Sequence, residues 1–209
     1  MNQYTVKKVN HSFSWNDIAP ANIAIINWHT PENNPDYNPK ATAKIVHNED
    51  AIIMQLTAED DFVRNEVFSI NGPVCDDSCM EVFIAPPCKP DTYFNLEINA
   101  VGIAYLGVGK IRENRIKVDP EIIKKHIIIA TETSNLDSEK RGKWQLSVIM
   151  KKSIFPIIMG CEFTSGRGTG NFYKCGCRAV RHYLSWNPIQ TQYPDFHTPQ
   201  FFGEVIFED

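Results

Sequence analysis

The stretch Val74-Cys75-Asp76-Asp77-Ser78-Cys79-Met80-Glu81-Val82-Phe83-Ile84, followed after a turn by Tyr93-Phe94-Asn95-Leu96-Glu97-Ile98-Asn99-Ala100, decides the fold class. Both halves alternate with the period of two expected of half-buried strands. Met80, Val82 and Ile84 share one face of the first half, and Phe94, Leu96 and Ile98 share one face of the second. The intervening Ala85-Pro86-Pro87-Cys88-Lys89-Pro90-Asp91 cannot continue a ladder, because its prolines lack an N–H donor. An antiparallel pair is the simplest joining. It puts Glu81, Asn95, Glu97 and Asn99 on one shared outer face. Such a face either hydrogen-bonds the hydroxyl groups of a ligand or is the solvated side of a sandwich.

The whole chain bounds the answer further. Its 209 residues suit one domain over 1–209, with residues 1–20 as a peripheral N-terminal segment, and no Ser/Gly-rich or charged linker divides them. A hydrophobic content of 43% excludes general disorder. A net charge of −4 and a pI near 5.9 argue against a nucleic-acid partner, which needs a basic patch. No apolar run approaches the ~20 residues that span a bilayer. Met1 to Asn10 lacks the apolar segment of a signal peptide. The expectation is a cytoplasmic protein if Met1 is the native start, and an extracytoplasmic one if a leader was removed.

Six cysteines stand at Cys75, Cys79, Cys88, Cys161, Cys175 and Cys177. None forms the C-x-x-C pairs of zinc ribbons. On a strand Cys175 and Cys177 share a face, which suits small core fillers. Disulfides and a metal site are the alternatives.

Elsewhere the pattern is of short strands and polar turns. Residues 11–40 are rich in Pro and Asn, with Trp15 and Trp28 as anchors, a short strand within Ala21 to Trp28, and a loop from Thr30 to Pro39. Ala41 to Val46 and Ala51 to Ala58 flank the polar turn His47-Asn48-Glu49-Asp50, as in a hairpin. Glu59-Asp60-Asp61 is either a solvated strand exit or a set of oxygen ligands for calcium. Ile103 to Leu106 returns as a strand. Lys125 to Thr133 and Lys143 to Lys151 read as a further pair across the polar loop Ser134 to Gly142, with Trp144, Leu146, Val148 and Met150 on one face. Ser153 to Pro156 suits one helical turn. Gly166 to Cys177 combines a glycine loop with an aromatic strand. It is no phosphate loop, because the G-K-[ST] ending is absent and a strand follows. Phe201 to Phe207 closes the chain as a strand. About ten short strands and no long helix predict an all-β protein: an antiparallel β-sandwich of two packed sheets, with long loops and little helix.

Several motifs taken together resemble a known family. They are Asp76-Asp77-Ser78-Cys79-Met80-Glu81-Val82-Phe83, Tyr93 to Gly102, Gly170-Asn171-Phe172-Tyr173-Lys174-Cys175-Gly176, Tyr183-Leu184-Ser185-Trp186, and Phe196-His197-Thr198-Pro199 with Phe202-Gly203. From about residue 20 to 207 the chain is similar to the family-9 carbohydrate-binding modules, in their stand-alone branch, within the DOMON-like β-sandwiches. The resemblance implies non-catalytic binding of a terminal sugar of a plant-type or other polysaccharide or oligosaccharide. Family members grip that sugar between two indole rings, with carboxylates and amides on its hydroxyls. By the motifs, Glu81 and Asn99 match the polar positions, Trp186 matches the later ring, and Asn171 stands where an amide contact is expected. Glu97 adds a second carboxylate from the same face.

The earlier tryptophan, six residues before the motif glutamate, is replaced by Cys75. An indole face covering ~80–100 Å² is worth roughly 2 kcal/mol, so its loss implies binding weaker by about 30-fold. Tyr37 or Trp28 from neighbouring loops are the candidate replacements. The resemblance also implies structural calcium, for which no ligand set matches here, and it names no partner enzyme.

Three further readings compete. Glu81 and Glu97 suit the carboxylate pair of a glycoside hydrolase, which needs a separation of roughly 5–9 Å. Met80 and His182 suit haem ligation, known among DOMON-like relatives. Cys175 with His182 suits a nucleophile and base, without an indicated third residue.

Overall fold

The structure is a computed structural model that describes residues 1–10, 12–29, 34, 36–134 and 142–209. The expected loops at 30–39 and 134–142 therefore lie largely outside the described residues. Fourteen strands are described: β1 (Gln3–Lys8), β2 (Ala21–Asn22), β3 (Ile25–Ile26), β4 (Lys40–His47), β5 (Ala51–Asp60), β6 (Cys79–Ala85), β7 (Tyr93–Asn99), β8 (Ala104–Gly109), β9 (Ile116–Lys117), β10 (Ile127–Ser134), β11 (Gly142–Lys151), β12 (Gly166–Cys175), β13 (Tyr183–Ser185) and β14 (Gly203–Phe207). Two short helices, α1 (Pro120–His126) and α2 (Phe155–Met159), complete the regular structure. Among the described residues no helix is long and apolar enough to cross a membrane.

The strands form a first sheet, β10-β11-β5-β4 with β2, and a second, β14-β12-β6-β7-β8-β9 with β13 and β3. Strand β1 belongs to both. Gln3 to Val6 run parallel to Glu204 to Phe207 of β14, and Lys7–Lys8 run parallel to Val46–His47 of β4. The arrangement is thus a curled, mixed sandwich, and the all-antiparallel expectation is corrected at β1. The first residues, expected at the periphery, supply the strand that joins the two sheets. Tyr4 and Val6 are the reason. Their side chains enter the core, and the Tyr4 hydroxyl accepts the Ile45 N–H at 2.8 Å. A stretch too short to show periodicity carries no strand signal, so the pairing was invisible in sequence.

The inner faces follow the alternation. Met80, Val82 and Ile84 pack with Phe94, Leu96 and Ile98 of the second sheet, against Trp144, Leu146, Val148 and Met150 of the first. Burying these side chains at roughly 1.5–3 kcal/mol each is the main term holding the sheets together.

Two other expectations change. Lys125 and His126 end α1 rather than opening a strand, because Asp119 caps the helix by accepting the Glu121 N–H and Pro120 stands at its first position. The glycines from Gly166 are strand residues, not a loop. A Cβ on Gly168 would lie 2.5 Å from the Ala85 carbonyl, and one on Gly170 would lie 2.6 Å from that of Phe83. Glycine there permits close approach of β12 to β6. The fold also brings the Cys88 thiol beside that of Cys161, 73 positions further along the chain.

The outer face of the second sheet is not solvated. A second apolar cluster, including Trp28, Phe83, Tyr93, Tyr173, Phe196 and Phe202, covers it. Every residue of β6 and β7 is buried.

Candidate functional site

Four strands bring a row of side chains to this covered face. In register across β12, β6, β7 and β8 stand Tyr173, Glu81, Glu97 and Tyr105. Glu81 and Glu97 are therefore direct cross-strand neighbours, as the alternation predicts. Two residues along, on the same face, Cys175, Cys79 and Asn99 form a second row. A short 3-10 turn at Val74–Asp76 lays Cys75 beside Cys177, fixed by backbone bonds from Cys177 N to Cys75 O and from Arg178 N to Asp76 O.

Above these rows is a cleft of about 160 Å³. Its floor and near wall are Glu81, Glu97, Cys75, Cys175 and Cys177. Its other wall is Arg112 from a 3-10 turn, Tyr183 at the start of β13, and the loop run Pro194-Asp195-Phe196-His197. Arg112 pairs with Asp195 at 2.9 Å, and the Asp195 carboxylate also accepts the His197 N–H, which fixes the rim. The Tyr173 hydroxyl donates to the Phe196 carbonyl, holding the loop against the sheet. Behind the wall, Trp28 packs edge-on to Tyr183 with centroids 6.0 Å apart and donates to the Thr191 carbonyl.

The electrostatics are those of acids held dry. Burial, with Glu97 facing it, pushes the Glu81 carboxyl well above the usual range. Burial pushes Glu97 up to about 7, against the opposing influence of Arg115 and of the Asn95 side-chain N–H donated at 2.9 Å. A protonated carboxyl both donates and accepts, so this floor matches hydroxyl groups. His197 is held down to about 3 by burial and by the arginines Arg115 and Arg112, so its ring is neutral near pH 7. Cys177 is lowered because it accepts from the thiols of Cys175 and Cys75 and from the Tyr183 hydroxyl.

A pH experiment isolates the floor. The folded-state value of Glu97 lies above its ordinary 4.5. The stabilisation of the protonated form is then complete below about pH 4.5 and lost as pH rises through about 7. Glu97→Gln should match the parent in thermal melting near pH 4.5 and exceed it near pH 8.5, by on the order of 3 kcal/mol. An equal shift at both pH values would refute the assignment.

Of the five residues singled out from sequence, the fold brings Glu81 and Glu97 into the cleft and leaves the other three outside it. Asn99 is fully buried: its amide donates to the Val67 carbonyl and to Asp77 Oδ2, and its oxygen accepts the Ile103 N–H. Asp77 in turn accepts from Glu66 N and Val67 N, so the pair brackets the chain at 66–67. Asn171 is likewise spent, accepting from Phe172 N and Asn187 N and donating to Asn187 O. Trp186 packs in the core between Tyr4 and Phe172, at centroid distances of 6.3 and 5.0 Å. Period-two parity would have shown this: Trp186 points with Leu184 into the core, and Tyr183 points outward.

Neither proposed replacement ring lines the cleft. Trp28 stands behind the wall, and the Tyr37 hydroxyl donates to Asp60 on the other side of the sheet. Tyr183 is the ring that sequence reading missed. The rim residues Arg112, Asp195 and His197 were also missed, because loops far apart in sequence bring them together.

The competing constellations come apart. Glu59 reaches out to Lys40 and Asp60 turns inward to Lys174, so those acids do not converge as calcium ligands would. Met80 is core-facing. The His182 ring is engaged at both nitrogens, with Lys174 and with the Val180 carbonyl, so it serves neither a haem nor Cys175.

A groove of about 880 Å³ lies elsewhere, around the β4–β5 turn, lined by Lys8, His47, Lys152 and Phe163 among others. The acids on its lining, Glu49, Asp50 and Glu162, are exposed, and Glu49 pairs with Lys8 at 2.8 Å, so it offers no buried acid floor.

Comparison with known proteins accords with this geometry. The family model described as carbohydrate-binding family 9 matches residues 7–207. A candidate carbohydrate-binding protein from Bacteroides uniformis is 28% identical, with a TM-score of 0.83 over 99% of each chain. A family-9 carbohydrate-binding module from Caldicellulosiruptor kristjanssonii, solved with cellotriose, has a TM-score of 0.62 at 10% identity, over 99% of this chain and 94% of that one. The same source's module solved with glucose has a TM-score of 0.61 at 10% identity, over 99% and 96%. These last two share the fold. No curated protein matches. The family match across nearly the whole length shows that this chain belongs to carbohydrate-binding family 9.

Proposed function

We propose that the cleft binds a single sugar ring, at the end of a polysaccharide or oligosaccharide, without turning it over. The observation that carries this reading is the convergence of the buried Glu81–Glu97 pair with the Tyr183 ring in a space of only about 160 Å³. Small-molecule sites usually enclose ~300–1,000 Å³, so this one suits one ring rather than a chain. Glu81 and Glu97 meet the hydroxyls, the Arg112–Asp195 pair bounds the rim, and Tyr183 supplies an apolar face in place of the ring missing at Cys75. Hydrolysis is not favoured. The family is one of binding modules.

Glucose and cellotriose, the ligands of the two Caldicellulosiruptor structures, are the first probes, followed by a glycan array. Calorimetry should show Tyr183→Ala binding about 10- to 30-fold more weakly, from an aromatic face worth roughly 2 kcal/mol. Unchanged heats in both Tyr183→Ala and Glu97→Gln would remove the cleft as the site. Silence of the parent protein across all glycans would remove the function.

A further inference from the structure

We propose that Cys79, Glu81 and Cys175 are ligands of a zinc-type divalent cation set into the floor of the cleft, the fourth position falling to another cleft-lining donor such as Cys177. The two sulfurs and a Glu81 oxygen all lie within 4.8 Å of one another, and all three residues are buried. Cys175 Sγ stands 3.1 Å from Glu81 Oε1. Around a tetrahedral ion, bonds of ~2.3 Å to sulfur and ~2.0–2.2 Å to oxygen separate donors by about 3.5–3.8 Å, so small side-chain rotations close the site.

The backbone is already in place. Cys79 and Cys175 are register partners on adjacent antiparallel strands, and Glu81 follows Cys79 on the same face. On a strand, C-x-E points two donors the same way, where a turn would use C-x-x-C; Cys177 lies just past the end of β12.

Without a cation the cluster is poorly matched. It gathers thiols and two carboxyls, and among the described residues no basic side chain forms an ion pair with Glu81 or Glu97. The Cys175 thiol donates to Glu81 Oε1 at 3.1 Å, and the remaining thiol contacts are long, Cys79 to the Met80 carbonyl at 3.7 Å and Cys175 to the Cys75 carbonyl at 3.9 Å. Burial keeps these donors protonated without a cation, and a bound cation would displace their protons, because buried charges are usually paired or coordinate metals. Two thiolates with a carboxylate select zinc or a similar borderline-soft ion over calcium or magnesium, which take all-oxygen shells.

This goes beyond the sugar-binding reading and does not depend on it. The test is titration of the fully reduced, anaerobic protein with cobalt(II) chloride, followed by competition with zinc. One equivalent should give the intense visible bands and near-ultraviolet charge transfer of a tetrahedral thiolate site, both erased by zinc. Cys175→Ser and Glu81→Gln should each weaken uptake by at least about tenfold, since even outer-shell losses cost 10–100-fold. Cys88→Ser, outside the cluster, should leave it unchanged. The wild-type spectrum decides even if a variant fails to fold. Absence of saturable uptake by folded, reduced protein overturns the proposal. So does a signal that survives in Cys175→Ser, or a Cys79–Cys175 disulfide in protein isolated under native conditions. Titrating glucose and cellotriose into the same samples with and without zinc reports the sugar reading separately, so failure of one is not failure of the other.

Discussion

Asp60→Asn should destabilise the protein by about 3–5 kcal/mol, read as a fall in the urea midpoint with unchanged slope. Asp60 and Lys174 form an ion pair at 3.1 Å, and both side chains are fully buried. Asp60 also accepts from the Trp144 indole at 2.8 Å and from the Tyr37 hydroxyl at 3.1 Å. Lys174 donates to the Cys175 carbonyl and to His182 Nε2. Asparagine keeps the shape and removes the charge, leaving the Lys174 ammonium in the core with no counter-ion. Breaking a buried pair costs more than omitting it, so Asp60→Leu combined with Lys174→Met should recover most of the loss. A single variant within about 1 kcal/mol of the parent would show the pair to be solvated.

Acid should find the same weakness. Burial and the adjacent Lys174 hold His182 down to about 3, because its Nε2 must stay unprotonated to accept from the ammonium. A histidine lowered in the folded state adds stability above about pH 6.5 that is lost as pH falls toward 3. For Asp60, burial raises the carboxyl, but Lys174 and the Trp144 bond outweigh it and hold it low. Its contribution therefore disappears on the same acid limb.

Trp186→Ala should be nearly as damaging, at about 3–5 kcal/mol, while leaving sugar affinity per folded molecule unchanged. The ring is 6% exposed and packs against Phe172 and Tyr4. Gly203 lies so close that a Cβ there would stand 2.5 Å from the indole, so β14 has been cut back to admit the ring. Removing the indole empties a space that glycine cannot refill. Trp186→Phe should recover part of the stability. Thermal melting and calorimetry on the same samples separate the two roles. A variant that melts like the parent but no longer binds sugar would return Trp186 to the site.

The contrast between Trp186 and Tyr183 shows how far the sequence reached. Family motifs pointed to the segment that reaches the cleft through Tyr183, and alternation within it separates the core ring from the outward one. Alternation also placed Glu81 opposite Glu97, because a rigid pleat leaves two neighbouring strands little choice of face. Asn99 and Asn171 lie outside the cleft for another reason. Both amides sit where polar groups are needed, but the need is for backbone partners in Val67, Ile103 and Asn187.

What the sequence determined by itself, then, was local and periodic: an all-β chain, the inner faces of β6, β7 and β11, and the shared face of Glu81 and Glu97. The tertiary structure decided everything that depends on distant segments meeting. It made β1 the parallel seam between the sheets, roofed the polar face with the chain around 183–202, and drew four cysteines from 75–79 and 175–177 into one cluster. The reason is physical. A strand's pleat is set by its own residues. What covers the strand is set by burial summed over the whole chain, and no local period records it.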